Sequence, residues 1–195
     1  MLDSLPKLCW NPFWVSILTI PYQQKGYRDP YEETTTASNT YTSSKRALGA
    51  SMQIQIYEGG RSDLMPLFRL ADESEIQILS YYEMGSVLVA RDGDWVVGMA
   101  HIVKDQTAFE IVSLAVVPER QGQGIGRRLI EEAINHCRLN QVNRLVVCTG
   151  SWETNNIVFY LRRGFRIFNV VRGYFTPENG YAKSHRDQVQ LEMNL

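Results

Sequence analysis

Polar and apolar residues alternate through Gln53, Ile54, Gln55, Ile56 and Tyr57, the period of a half-buried strand, and this regularity begins abruptly after Met52. Over residues 62–82 the apolar positions recur at helical spacing with a polar break at 72–75, which predicts one or two helices. Gly85 then punctuates the chain. Residues 86–91 and 95–103 read as strands joined by a tight turn at Asp92-Gly93, where glycine tolerates positive φ. A second turn around residues 104–107 leads into 109–117, a strand apolar on both faces apart from Ser113 and so expected in the middle of a sheet. After Pro118 comes a glycine-rich turn. Ile125, Leu129, Ile130, Ala133, Ile134 and Cys137 then form one face of a helix ending near Asn140. Residues 144–149 predict a short buried strand, 155–163 a helix closed by Gly164, and 165–171 another strand. A last strand over 187–195 alternates Val189, Leu191 and Met193 with polar neighbours. No segment repeats another.

Residues 1–51 have a different character. They are aromatic and proline-rich at first (Trp10, Pro12, Phe13, Trp14, Pro21, Tyr22), then polar and low in complexity over 34–44. They read as an N-terminal extension. Either its aromatics dock on the domain or a partner, or it is poorly ordered, translated sequence upstream of a natural start at Met52; the abrupt onset of periodicity favours the second. Residues 52–195 form the expected domain. With 195 residues and 44% hydrophobic content the chain can build a sizeable core.

Twenty basic against 21 acidic residues leave a formal charge of -1, so no extended phosphate-binding surface for nucleic acid is expected, and any anionic ligand must be held locally. Cys9, Cys137 and Cys148 are odd in number and lack metal-ligand spacing, which argues against a disulfide framework and a zinc site and fits a reducing cytoplasm. His101, His136 and His185 add no spacing suited to a metal. The apolar stretch at 8–20 is interrupted by Asn11 and Pro12 and is too short to span a bilayer, so no membrane association is expected.

The segment richest in chemistry is Val117-Pro118-Glu119-Arg120-Gln121-Gly122-Gln123-Gly124-Ile125-Gly126-Arg127-Arg128, joining a buried strand to an amphipathic helix. Alternating glycines let successive backbone N–H groups converge on an anion, and the positive end of the following helix adds attraction for phosphate. Arg127 and Arg128 add charge. A tight turn that needs glycine only for close packing remains an alternative at this level. A dinucleotide-binding turn fits poorly, since Gly-x-Gly-x-x-Gly fails at its last position, and a nucleoside-triphosphate loop lacks Gly-Lys-Ser/Thr.

This segment resembles the Gln/Arg-x-x-Gly-x-Gly/Ala signature of the GNAT superfamily of N-acetyltransferases, with Gln121, Gly124 and Gly126 at the defining positions. The likeness extends over residues 53–195 in element order, including Glu110-Ile111-Val112 with Ala115-Val116 before the turn and Phe159-Tyr160-Leu161-Arg162-Arg163-Gly164-Phe165 after it. The resemblance implies an α/β fold: a mixed, mostly antiparallel sheet of about seven strands, helices on both faces, and a V-shaped cleft for acetyl-CoA. It also implies that the main chain of Leu114, Ala115 and Val116 pairs with the pantetheine arm. The turn formed by Gln121, Gly122, Gln123, Gly124, Ile125, Gly126 and Arg127 would hold the pyrophosphate.

By the same resemblance, Tyr160 is the general acid for the departing thiolate and Glu110 a general base acting through water on the amine. A carboxylate flanked by Phe109 and Ile111 is expected to have a raised pKa; a solvated strand-end charge or an ammonium anchor are the alternatives. Acetyl transfer would be direct, in a ternary complex. Cys137 and Cys148 show no adjacent base, so a thiol nucleophile is not expected. Where many relatives carry an asparagine seven residues before the tyrosine, this chain has Glu153, which leaves the roles of Asn155 and Asn156 open, with helix capping by Asn155 as one reading. The implied acceptor is a small-molecule amine, with a lysine or N-terminal protein amine, or a non-catalytic acyl-CoA sensor, as alternatives. Residues 59–85 and 172–187 would flank it, Glu178 and His185 reading more readily as part of a solvated loop there than as pocket residues, and a homodimer is an open expectation.

Overall fold

The computed structural model describes residues 52–105, 108–181 and 186–195, the last segment without the Arg186 side chain. The reading of residues 1–51 as an extension, and the position of His185, lie outside the described residues. Seven strands form one sheet in the order β1-β2-β3-β4-β5-β7-β6. They are β1 (Met52–Ile56), β2 (Ser86–Asp92), β3 (Trp95–Lys104), β4 (Phe109–Val116), β5 (Arg144–Gly150), β6 (Arg166–Phe175) and β7 (Arg186–Asn194). Every neighbouring pair is antiparallel except β4 with β5. The mixed, mostly antiparallel expectation is met.

Helices cover both faces. On one, Ile125, Leu129, Ile130, Ala133 and Cys137 of α3 (Ile125–Leu139), with Tyr160 of α4 (Thr154–Leu161), pack on Leu88, Ala100, Leu114, Leu145 and Leu191 of the sheet. These helix positions are the apolar face that the spacing predicts. On the other face, Leu67, Phe68 and Ala71 of α1 (Met65–Ala71) and Ile78 and Tyr81 of α2 (Glu75–Tyr81) meet Val87, Val89, Met99, Val112 and Ala115. All eight residues of β4 are buried, as its two-sided apolar pattern requires.

The helical stretch read at 62–82 divides into a 3-10 turn (Arg61–Leu64), α1 and α2, and its polar break is a cap. Ser74 accepts from the Gln77 backbone N–H at 3.3 Å, while buried Asp72 accepts from the Ser74 N–H at 2.8 Å. The β2–β3 turn sits one residue later than expected: Asp92 pairs with Trp95 across Gly93-Asp94, and Gly93 takes the positive φ of 61°. β6 runs past residue 171 to Phe175, helped by the Gly173 N–H donating to Asp187 Oδ1 at 2.9 Å.

Behind α2 the chain reverses into β2 around one cation. Arg61 donates to the carbonyls of Met84 and Gly85, each at 2.6 Å, and to that of Tyr82. Its charge faces the carbonyl end of α2, where the helix dipole favours a cation. Arg61→Ala is expected to lower unfolding free energy by about 1.5–3 kcal/mol, the scale of charged hydrogen bonds, in urea denaturation at neutral pH. A change below about 0.5 kcal/mol would show that this reversal holds without it.

Candidate active site

The site grows from an irregularity in β4. Its register with β3 runs Ser113 to His101 and then Ile111 to Ile102, so Val112 is an extra residue, a β-bulge. On the other side, β4 and β5 pair over only three rungs, Phe109 with Leu145, Glu110 with Val146 and Ile111 with Val147. Past the bulge β4 stays with β3 and β5 stays with β7, so the parallel strands part. The side chains of Leu114, Ala115 and Val116 are buried, so what this stretch can offer a ligand is main chain. Unpaired strand N–H and C=O groups seek partners.

At the far end of β4 lies the glycine turn. Gly122 and Gly124 adopt φ of 73° and 82°, the left-handed region, and a Cβ at either would meet nothing within 4 Å. Glycine is there for backbone conformation, and the space beside it is open. Gln121 Nε2 donates to the Val116 carbonyl at 2.9 Å and Gln123 Nε2 to that of Glu119 at 3.3 Å, pinning the turn from within. Gly124 is the N-cap of α3 and supplies no side-chain cap, so the first N–H groups of a 15-residue helix face the turn. Ile125 anchors that helix in the core, and Gly126 faces the Phe159 ring, which a Cβ there would meet at 3.4 Å, ordinary contact distance. Arg127 is exposed and pairs with Glu131 at 2.7 Å. Arg128, expected beside the anion, instead donates to the Met52 carbonyl at 3.0 Å and ties α3 to β1.

Glu110 sits on the middle rung, just before the strands part, and is 8% exposed. Burial pushes its carboxyl up to about 8, a hydrogen bond with Cys148 pulls the other way, and Asp105 adds to the rise. Its Oε1 has no hydrogen-bond partner. Tyr160 is fully buried and its hydroxyl has no partner. Burial pushes that hydroxyl well above its ordinary range, Cys148 adds to the rise, and Arg163 opposes it. At neutral pH Tyr160 is therefore a proton donor. The Cys148 thiol thus adjoins the Glu110 carboxyl, which corrects the expectation that it has no adjacent base. Alternation along β5 puts Val146 and Cys148 on one face, but only the β4–β5 register reveals Glu110 beside them.

Asn155 is the second residue of α4 and exposed, so the capping role read for it does not hold; the N-cap is Glu153, without a side-chain cap bond. Asn156 is buried and its Nδ2 donates to Thr149 Oγ1 at 3.5 Å. The flanking segments meet through Asn179, whose carbonyl accepts from Ser74 Oγ at 3.3 Å and Gln77 Nε2 at 3.1 Å. Glu178 is exposed in the adjoining 3-10 turn (Pro177–Asn179). Beside it Trp152, Phe175 and Tyr181 form an edge-to-face aromatic wall, with centroids 4.8 and 5.1 Å apart. On β7, opposite Cys148, Gln190 donates to Gln188 Oε1 and accepts from Asn169 Nδ2, both at 2.8 Å.

Among the described residues no group of three or more His, Cys, Asp or Glu side chains is placed to hold a metal ion. His101 is a core residue, its Nε2 2.5 Å from the Met84 carbonyl and its ring against Phe68 and Tyr81. No described helix is long and apolar enough to cross a membrane.

The family model for the acetyltransferase (GNAT) family matches residues 55–165, and the chain belongs to that family. An uncharacterised N-acetyltransferase, YvbK of Bacillus subtilis, is 28% identical over 152 residues, covering 74% of this chain and 97% of that protein. The solved structure of an IAA acetyltransferase from Bacillus cereus is 30% identical with a TM-score of 0.66, over 74% of this chain and all (100%) of that one. A GNAT family acetyltransferase from Elizabethkingia anophelis, solved with acetyl-CoA bound, is 26% identical with a TM-score of 0.69, over 75% of this chain and 100% of that one.

Burial of Glu110 has a thermodynamic consequence with a definite sign. A carboxyl raised from the unfolded range to about 8 contributes stability that is fully present below the unfolded value and lost as pH rises through 8. Glu110→Gln should match the parent in urea denaturation near pH 5 and exceed it at pH 9, by a few kcal/mol at most. Equal stability of the two proteins at both pH values would show that Glu110 is solvated.

Proposed function

We propose that this protein is an acetyl-CoA-dependent N-acetyltransferase that passes the acetyl group directly to an amine of a small molecule. The observation that carries the reading is the parting of β4 from β5 after three rungs, with the uncapped α3 turn at one end and Glu110 at the other. From Glu110 to Val116 an extended strand spans about 20 Å, so the anion cradle and the carboxyl stand well apart on one element. The open space at Gly122 and Gly124 and the uncapped N–H groups suit a pyrophosphate there, bound chiefly through Gly122, Gln123, Gly124, Ile125, Gly126 and Arg127. Gln121 holds the turn to β4.

Acetyl-CoA, when bound, supplies an activated thioester. The main chain of Leu114, Ala115 and Val116 aligns the arm that carries it, and a preorganised Leu114 N–H stabilises charge developing on the carbonyl oxygen. Glu110, with its carboxyl near the working pH, accepts the amine proton directly or through water. Tyr160 donates to the leaving sulfur from a site that excludes water. A low-molecular-mass acceptor is favoured by the hydrogen bonds that draw the start of α2 onto Asn179, narrowing the side from which an acceptor would enter.

The test is calorimetric titration with acetyl-CoA followed by a screen of small amines, lysine peptides and peptide N-termini for CoA release. Small amines should turn over best; a preference for peptides would transfer the assignment to a protein acceptor, and binding without turnover would make the protein a sensor. Gly124→Glu should abolish acetyl-CoA binding with the overall fold intact by circular dichroism, since it strains the left-handed turn and places a carboxylate in the open space of the cradle. Parental affinity in that variant would put the phosphate elsewhere. Tyr160→Phe should keep coenzyme affinity and lose roughly a hundredfold in kcat, and full turnover would remove Tyr160 from the mechanism.

A further inference from the structure

We infer that Cys148 is a positioning residue for the transfer, its thiol holding the Glu110 carboxyl in place where β4 and β5 part. The inference rests on the acetyl-transfer reading above. Cys148 is the first β5 residue beyond the last rung, Ile111 with Val147, and is 1% exposed. It lies on the same face as Val146, which pairs with Glu110, so the thiol sits diagonally across the strands from the carboxyl and hydrogen-bonds to it. One carboxyl oxygen, Oε1, is buried and left without a partner.

The need for such a holder follows from burial. A carboxylate out of water requires donors, and among the described residues the Cys148 thiol is the side chain that hydrogen-bonds to Glu110. A thiol is a weak donor. It therefore steadies the ionised form without removing the proton affinity that a base needs; a strong cation there would do both. The titratable groups acting on Glu110 are Cys148 from β5 and, through space, Asp105 from the end of β3. Tyr160 of α4 is influenced by the thiol only through space, as it is by Arg163.

The experiment compares the full chain with Cys148→Ala, Cys148→Ser and Cys148→Val. Glu110 titration is followed by NMR of carboxyl-labelled glutamate without substrate, and the pH profile of kcat/KM is followed with an amine from the screen. In Cys148→Ala the midpoint, about 8 in the parent, should move up by about half to one pH unit, the equivalent of one lost hydrogen bond, and the acidic limb of the profile should move with it. KM for acetyl-CoA should hold. Cys148→Ser, which keeps a donor, should return both midpoints towards the parent. If the alanine variant does not fold, Cys148→Val, of closer volume, carries the same expectation.

An active parent whose midpoint and limb ignore the loss of the thiol overturns the inference. So does a protein incubated with acetyl-CoA alone that gains one acetyl group on Cys148, since the thiol would then be a nucleophile. A parent that turns over no amine, yet shows a Cys148-dependent midpoint, would sink the acetyl-transfer reading and leave the contact standing. The two failures are thus distinguishable.

Discussion

The structure depends on one extra residue in a central strand. Val112 interrupts the β3–β4 ladder, and at the same level β4 ceases to pair with β5. A bulge bends and twists its strand, so two parallel neighbours in register below it diverge above it. Such a breach in the middle of a sheet would cost buried, unpaired backbone groups if nothing filled it. The rest of the fold contains that cost. β5 is held on its other side by seven rungs with β7, β4 by seven with β3, and α3 and α4 close one face behind both.

The same architecture sets the chemistry. Because β4 is buried along its whole length, its one carboxylate is desolvated, and a group that ordinarily loses its proton near pH 4.5 keeps it to about 8. Tyr160, brought by α4 from the opposite face, is desolvated in the same way and stays a donor. Burial thus raises both groups, the carboxyl to about 8 and the hydroxyl well above its ordinary range. At the other end of β4 the chain does the reverse: glycines and an uncapped helix leave polar N–H groups facing outwards. Hydrophobic burial and unsatisfied polarity sit at the two ends of one strand.

Much of this was legible in the chain. Periodicity located nearly every element within a few residues, because half-buried strands and amphipathic helices carry their burial in their spacing. The glycine turn was legible because left-handed φ leaves few alternatives to glycine. What escaped depends on register, which no local pattern encodes. The insertion of β7 between β5 and β6 placed Gln190 opposite Cys148, and the three-rung β4–β5 pairing placed Glu110 beside that thiol. Arg128 shows the same limit in reverse: adjacent in sequence to the cradle, it turns away to the Met52 carbonyl. Asn155 does likewise, since α4 begins one residue before it and leaves the cap to Glu153.

The claim on which everything else stands is that a ligand fills the breach between β4 and β5. Amide hydrogen exchange with and without acetyl-CoA measures this backbone directly. Acetyl-CoA should slow exchange at residues 114–116 and 122–127 and leave the outer strands β1 and β2 unchanged. Unaltered exchange along β4 and the turn under saturating acetyl-CoA, or protection confined to other elements, would contradict the account.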